Sequence, residues 1–336
     1  MNEREKEKKE KEREREKRRY EKLLQNLGEL SSFEEELKKI ELASGGLNGS
    51  AAQQVKSNFL KLSIIHSNSH SHLNGVSTIT MNDPGKLNGW SPAMMEALKT
   101  SLLSLADSPD THVAILTGKD PYYCAGVQLS SLMSRPMHPK KLHSLFETKN
   151  RELFDLFLTF PKPLIAAVNG PAIGASVTSA SLSDALIASE KATFHTPFVS
   201  LGLPPEGCSS VHFERLMGKE NASLLLNEGK KVTGQEAAKM GLATAVVPHD
   251  ELLTYAQKLG EQWVKEKRER WLLKEKGAKE RYLAVNAAES KSVADAFLSD
   301  GFLKGQYEFL AGRGKKKQAM VFWLLRATRP VWRWMM

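Results

Sequence analysis

The sequence predicts a mixed α/β fold, and three observations carry that prediction. Short apolar runs rich in β-branched residues recur between residues 60 and 247, separated by small-residue turns or helical periods. Their order is strand, strand, helix, strand, helix, strand, with no tandem repeat at a fixed period. Beyond residue 250 the periodicity is helical almost throughout.

Length and composition bound the possibilities. The chain has 336 residues, 41% hydrophobic and 26% charged, enough for one large domain or two ordinary ones. A collagen, a disordered polyampholyte and a multi-span membrane protein are excluded, and no apolar run reaches the roughly 18 residues of a spanning helix. Cys124 and Cys208 cannot build a disulfide framework, so we expect a reducing intracellular compartment. The net charge is +9, and the final 36 residues hold eight Lys/Arg against Glu308 alone. The rest of the chain is near neutral, which disfavours a nucleic-acid-binding body.

Taken in order, residues 1–57 read as a charged extension and linker. The first 41 residues carry 13 basic and 13 acidic side chains, which form i,i+4 pairs but leave no face to bury. A solvated helix or a disordered arm follows, with residues 23–33 leaving a short partner contact open. Runs at 60–65 and 76–81 predict a hairpin, with His66, His70 and His72 in its polar turn. Ser91-Pro92 supplies an N-cap and an N1 proline for a helix carrying Met94, Met95, Leu98, Leu102 and Leu105. A buried-type strand at 113–117, a long helix through 145–160 and a strand at 164–168 come next, Pro161-Lys162-Pro163 stopping the helix. Further strands fall at 185–188 and 243–247. Charge-rich 263–282 and a second helical stretch over 285–310 complete a body placed at 58–313. That body divides into a core to residue 250 and a helical region over 251–313. Residues 314–336 form a basic, Trp-rich tail, read either as a membrane-surface segment or as an unstructured extension.

Three segments could carry chemistry. Cys124-Ala125-Gly126-Val127-Gln128-Leu129 follows one strand, and Asn169-Gly170-Pro171-Ala172-Ile173-Gly174-Ala175 follows another. Small-residue turns free backbone N–H groups, and two such turns beyond neighbouring strands can aim two donors at one oxygen. The third segment contains Leu203-Pro204-Pro205-Glu206-Gly207-Cys208, where Glu206 is the single carboxylate between Phe194 and Val211. A carboxylate among apolar and glycine neighbours has its pKa raised by desolvation, which suits a general base near neutral pH. Both cysteines read as packing residues and His195 as a pocket-wall residue.

Together, with the strings FPKPLIAAVNGPAIGASVT (160–178), ATFHTPFVSLGLPPEGCSS (192–210) and GKKVTGQEAAKMGLATAVV (229–247), these segments resemble the crotonase (enoyl-CoA hydratase/isomerase) superfamily. Within it the chain is similar to the peroxisomal-type Δ3,Δ2-enoyl-CoA isomerases, with the Pro-Glu-Gly-Cys-Ser-Ser string as the best marker. The resemblance implies a ClpP-like spiral of ββα units with a C-terminal helical region. It implies oxyanion-hole amides at Val127 and Ala175 and a catalytic base at Glu206. The two hydratase carboxylate positions hold Thr178 and Phe198 instead, which favours a one-base isomerase. Lys86, Leu87 and Asn88 are implied near the CoA adenine, and Ala125, Gly126, Gln128, Leu129 and Gly174 along the substrate. Loop 129–139 is expected to bear on chain length. No metal or redox cofactor is implied, CoA being part of the substrate, and the assembly is expected to be a homotrimer or hexamer. Peroxisomal location is implied without a Ser-Lys-Leu terminus, with mitochondrion or cytosol as alternatives. The rival readings are a non-catalytic module binding acyl-CoA or a protein, and another reaction on a CoA thioester.

Overall fold

The computed structural model describes residues 74–128 and 138–332 and the backbone of 64–66; the side chains of residues 273, 331 and 332 are outside that description. The expectations for the charged extension 1–57, the histidine-bearing turn, Leu129 and most of loop 129–139 therefore lie outside the described residues.

The predicted hairpin forms from β1 (Ile64–His66) and β2 (Val76–Met81), antiparallel with Ile64 opposite Ile79. In α1 (Pro92–Asp107), Ser91 Oγ accepts the Met94 N–H at 3.2 Å, and Leu98, Leu102 and Leu105 are buried, as their spacing predicts. Strand β3 (Val113–Gly118) is buried at every position and runs parallel to β2. Helix α2 (Pro139–Thr159) begins earlier than its apolar spacing suggests, with Pro139 at its first position, and stops before Pro161. Then come β4 (Leu164–Val168), β5 (Ala172–Ile173), α3 (Ala175–Ser181), β6 (Ala185–Ser189), β7 (Thr193–His195) and α4 (Phe198–Leu201). They are followed by α5 (Ser209–Leu226), β8 (Val232–Thr233), α6 (Gly234–Met240) and β9 (Ala245–Val247).

The main sheet has the order β1-β2-β3-β4-β6-β9, parallel from β2 onward, and β5-β7-β8 form a small second sheet. Alternation along the strands divides the core into two. Val113, Ile115, Ile165, Ala167 and Ile187 pack with Leu252, Ala256 and Trp263 of α7 (Leu252–Lys265). Ala114, Leu116, Leu164, Ala166 and Val168 turn to the other face, against α1, α2, α3 and α5. Covering both faces is why these strands read as continuous apolar runs.

Beyond α7 lie α8 (Trp271–Lys274), α9 (Ala278–Phe297), α10 (Asp300–Gly312) and α11 (Lys316–Trp332). Two expectations are corrected here. The stretch 285–310 is not one helix: it breaks at Leu298 and Ser299, where Ser299 Oγ caps α10 by accepting the Phe302 N–H at 3.2 Å. Nor does the body end at residue 313. Residues 316–332, expected as a tail, form α11, whose Ala319 and Phe322 are buried in the cluster containing Phe302, Leu303 and Leu310. The physical reason is an i,i+3 pair of inward apolar residues among the tail's cations.

Candidate active site

Two turns converge beyond β3 and β4. In the first, Trp90 donates its N–H to the Gly126 carbonyl at 2.8 Å, and Gln128 donates to the Trp90 carbonyl at 3.1 Å. This ladder skips the Val127 N–H, which has no acceptor among the described residues. Gly126 has φ +79, and a Cβ there would stand 2.5 Å from the Ile173 carbonyl oxygen. Only glycine lets the first turn close on the second. In the second turn Gly174 donates to the His195 carbonyl at 2.8 Å, and Ala175 opens α3. The first N–H of a helix has no carbonyl a turn earlier to receive it. Ser176 Oγ pins both turns, accepting the Ile173 N–H at 2.8 Å and donating to the Cys124 carbonyl at 2.9 Å.

One cavity, lined by Ala125, Gly126, Val127, Gly174, Ala175 and Glu206, joins these turns to the third segment. Glu206 lies in the turn between α4 and α5, and its neighbour Gly207 fixes the path. A Cβ on Gly207 would come within 2.3 Å of the Phe154 ring of α2. Glu206 is buried, and burial pushes its carboxyl up to about 7. A hydrogen bond from Asn150 pulls the other way, and the charge of Glu289 adds to the rise.

Asn150 was not singled out by the sequence, yet it holds the carboxyl: its Nδ2 donates to Glu206 Oε2 at 2.5 Å. Its Oδ1 accepts from Ser290 Oγ at 2.9 Å. Asn286, one turn earlier on α9, donates to Asp155 Oδ1 at 2.9 Å and to the Arg151 carbonyl at 3.0 Å. A second missed residue grips the turn itself. Glu289 accepts the Cys208 N–H at 2.6 Å and the Ser210 N–H at 3.0 Å, a carboxylate across the N-terminus of α5. Helix α9 thus braces Glu206 from two sides. Nothing in a charge-rich helix distinguishes such residues from solvated ones; only the i, i+3, i+4 spacing of Asn286, Glu289 and Ser290 on one face hints at it.

The remaining candidates fall into place unevenly. Phe198 lines the cavity, whereas Thr178 is buried with its hydroxyl donating to the Ala175 carbonyl at 3.1 Å. The 86–88 segment packs on the first turn, Ala125 donating to the Leu87 carbonyl at 3.0 Å and Gln128 Nε2 to the Lys86 carbonyl at 3.4 Å. Lys86 is exposed and pairs with Asp83 at 3.3 Å. Asn88, expected near CoA, has its side chain buried and engaged. It accepts from the Asp83 N–H and donates to the Lys119 and Tyr122 carbonyls, so it braces the loop and keeps no free donor. His195 is half-buried and its ring is hydrogen-bonded with the Gly229 backbone, but it is not among the residues lining this cavity. Cys124 and Cys208 are buried thiols, Cys124 pushed up to about 12 by burial, as packing residues should be.

One constellation resembles a nucleophilic triad. Ser189 Oγ lies 3.0 Å from His249 Nδ1, and His249 Nε2 lies 3.1 Å from Asp120 Oδ2. Ser189 is fully buried, however, and its Oγ accepts the Lys191 N–H at 3.1 Å, so the array ties loops together. A second cavity runs between α1 and α2, lined by Leu145, Glu152 and Leu156 and sharing Met95, Lys149 and Leu153 with the first.

Known proteins resemble this chain in sequence and in fold. The profile of the family described as "Enoyl-CoA hydratase/isomerase" matches residues 71–315. The chain is 36% identical over 249 residues to "Enoyl-CoA delta isomerase 2" of Rattus norvegicus, covering 72% of this chain and 62% of that protein. The match therefore spans less than two thirds of the rat protein's length. "Enoyl-CoA delta isomerase 3, peroxisomal" of Mus musculus is 35% identical over 255 residues, covering 72% of this chain and 78% of that protein. A "Chromodomain Y-like protein" of Rattus norvegicus is 36% identical over 160 residues, covering 47% and 27%. Among solved structures, an enoyl-CoA hydratase/isomerase from Pseudoalteromonas atlantica superposes with a TM-score of 0.63 at 26% identity, over 74% of this chain and 97% of that one. The crotonase architecture expected from the sequence is the one found, and this chain belongs to the enoyl-CoA hydratase/isomerase family.

Proposed function

We propose that this protein is a Δ3,Δ2-enoyl-CoA isomerase, moving the double bond of a 3-enoyl-CoA to the 2-trans position during unsaturated fatty acid β-oxidation. One observation carries the reading. Among the described residues, Glu206 is the single carboxylate lining the cavity, while the positions of Thr178 and Phe198 offer none.

The thioester carbonyl lies between the N–H groups of Val127 and Ala175. Two fixed donors there stabilise an enolate, so the C2 proton becomes acidic enough for a carboxylate to take. Glu206 accepts that proton and returns it at C4. The electron pair of the broken C2–H bond forms the new C2–C3 double bond, and the π pair of the old C3–C4 double bond forms the new C4–H bond with the returned proton, leaving C3–C4 single. A base with a pKa of about 7 is half ionised near neutral pH and equally able to give the proton back. Asn150 orients the carboxyl by its hydrogen bond.

Gly126, Gly174, Ala125 and Gln128 flank the thioester and pantetheine, with Lys86, Leu87 and the Asn88 backbone toward the nucleotide. The second cavity, apolar at Leu145, Leu153 and Leu156, takes the acyl tail between α1 and α2. CoA belongs to the substrate, and the reaction needs no further cofactor. A homotrimer or hexamer and a peroxisomal site fit the same reading, the latter supported by the name of the mouse relative.

The test is conversion of 3-enoyl-CoA thioesters, followed by absorbance of the conjugated product, for wild type beside Glu206→Gln. Turnover by the wild type and loss of at least about 100-fold in the variant is expected, as for removal of an essential proton acceptor. Equal activity in the two moves the base elsewhere. No turnover at any chain length, with acyl-CoA binding retained, replaces the isomerase by a binding module.

A further inference from the structure

We infer that α11 lays its outer face on an anionic lipid surface. This helix has two apolar faces. Ala319 and Phe322 are buried against α10, with Val321 and Leu325 packed beside them. On the opposite side Met320, Trp323 and Leu324 are 58%, 48% and 50% exposed, at the i, i+3, i+4 spacing of a single stripe. A helix that meets only water on its outer face is polar there.

Charge selects the partner. No Asp or Glu follows Glu308, while Arg313, Lys315, Lys316 and Lys317 stand exposed where α11 begins. Arg326 is held by Asp300 at 2.9 Å and Arg329 by the Leu298 carbonyl at 3.0 Å, so the lysine cluster is the basic edge of the stripe. Cations beside Met, Trp and Leu make a helix that lies in the headgroup plane, its apolar side chains in the acyl boundary and its lysines on anionic headgroups. A nucleic acid would be met by cations along the whole face, and here the face beyond the lysines is apolar. Among the described residues no helix is long and apolar enough to cross a membrane, so the contact is an interfacial one. All of α11 lies beyond residue 315, where the family match ends. The lipid contact stands independently of the isomerase reading.

The experiment is co-sedimentation of the full chain with vesicles of phosphatidylcholine alone and of phosphatidylcholine mixed with phosphatidylglycerol, at low and high salt. Binding to the mixed vesicles only, weakened by salt, is expected. A basic residue near an anionic surface contributes about a five-fold change in partitioning, so the triple variant Lys315→Gln, Lys316→Gln, Lys317→Gln should bind on the order of 100-fold more weakly. Leu324→Glu, at an exposed position, should keep the wild-type melting temperature and lose vesicle binding. Trp323 emission should shift to the blue with mixed vesicles, and that shift should vanish in Trp323→Phe. Absence of binding to anionic vesicles overturns the proposal. So does self-association abolished by Leu324→Glu, which would make the stripe a contact between copies, or release from vesicles by RNA, which would make it a nucleic-acid site.

Discussion

Replacing Asn150 with leucine isolates the setting of the base from its presence. The amide donates to the ionised form of Glu206, and Leu fills similar space without a donor. A hydrogen bond to a charged group is worth about 1.5–3 kcal/mol, and one pKa unit is about 1.4 kcal/mol. Losing the donor disfavours the ionised form, so the carboxyl rises from about 7 by about 1–2 units. At pH 7 the ionised fraction then falls from about one half to between about one tenth and one hundredth. The value of kcat/KM should fall about 5- to 50-fold at pH 7 and recover toward wild type as pH rises through 8 and 9. A pH series of initial rates on one 3-enoyl-CoA substrate reads this directly. An acid limb that stays near 7, or moves down, refutes the assignment of Asn150 as the positioning residue, and a loss that no pH restores points to collapse of the site.

Three further outcomes follow from the same geometry. Gly207→Ala must place a Cβ against Phe154 at φ +67, which should destabilise the fold by about 2–5 kcal/mol in urea unfolding; a change within 1 kcal/mol would show that the turn relaxes. Leu145→Trp in the second cavity should slow long acyl chains and spare short ones, and an equal effect on both would remove the tail from that path. Two sources of the pH dependence of stability oppose each other. His212, buried between the Ser181 carbonyl and Tyr282, is pushed down to about 4, so its contribution is full above about 6.5 and is lost as pH falls toward 4. Glu206 is raised to about 7, so its contribution is full below about 4.5 and is lost as pH rises through 7. Each amounts to about 3 kcal/mol, so urea midpoints of Glu206→Gln should fall more steeply than wild type between pH 6.5 and 4.5; parallel curves would count against the raised carboxyl.

How much the sequence revealed depended on how local the signal was. Strands β3, β4 and β6 were legible because burial on both faces leaves an unbroken apolar run, and α1 because its cap is written in two adjacent residues. The sheet β5-β7-β8 was not, since strands of two or three residues have no period to detect. Gly126, Gly174 and Glu206 were found because small-residue turns and an isolated carboxylate are visible in one segment. Asn150, Glu289 and Ser290 were missed because each matters only through a partner far along the chain, Asn150 through Ser290 at a separation of 140 residues. The inward stripe of α11 was masked by the cations around it.

The grip of α9 on Glu206 has a consequence for synthesis. A ribosome delivers the Cys208 turn 81 residues before the Glu289 that holds it, and Asn150 waits longer still for Ser290. The turn around Glu206 is therefore completed in two stages, its carboxyl fully held only once α9 (Ala278–Phe297) has emerged and docked. A chain ending before α9 would carry Glu206 without the Glu289 and Ser290 contacts that hold its turn.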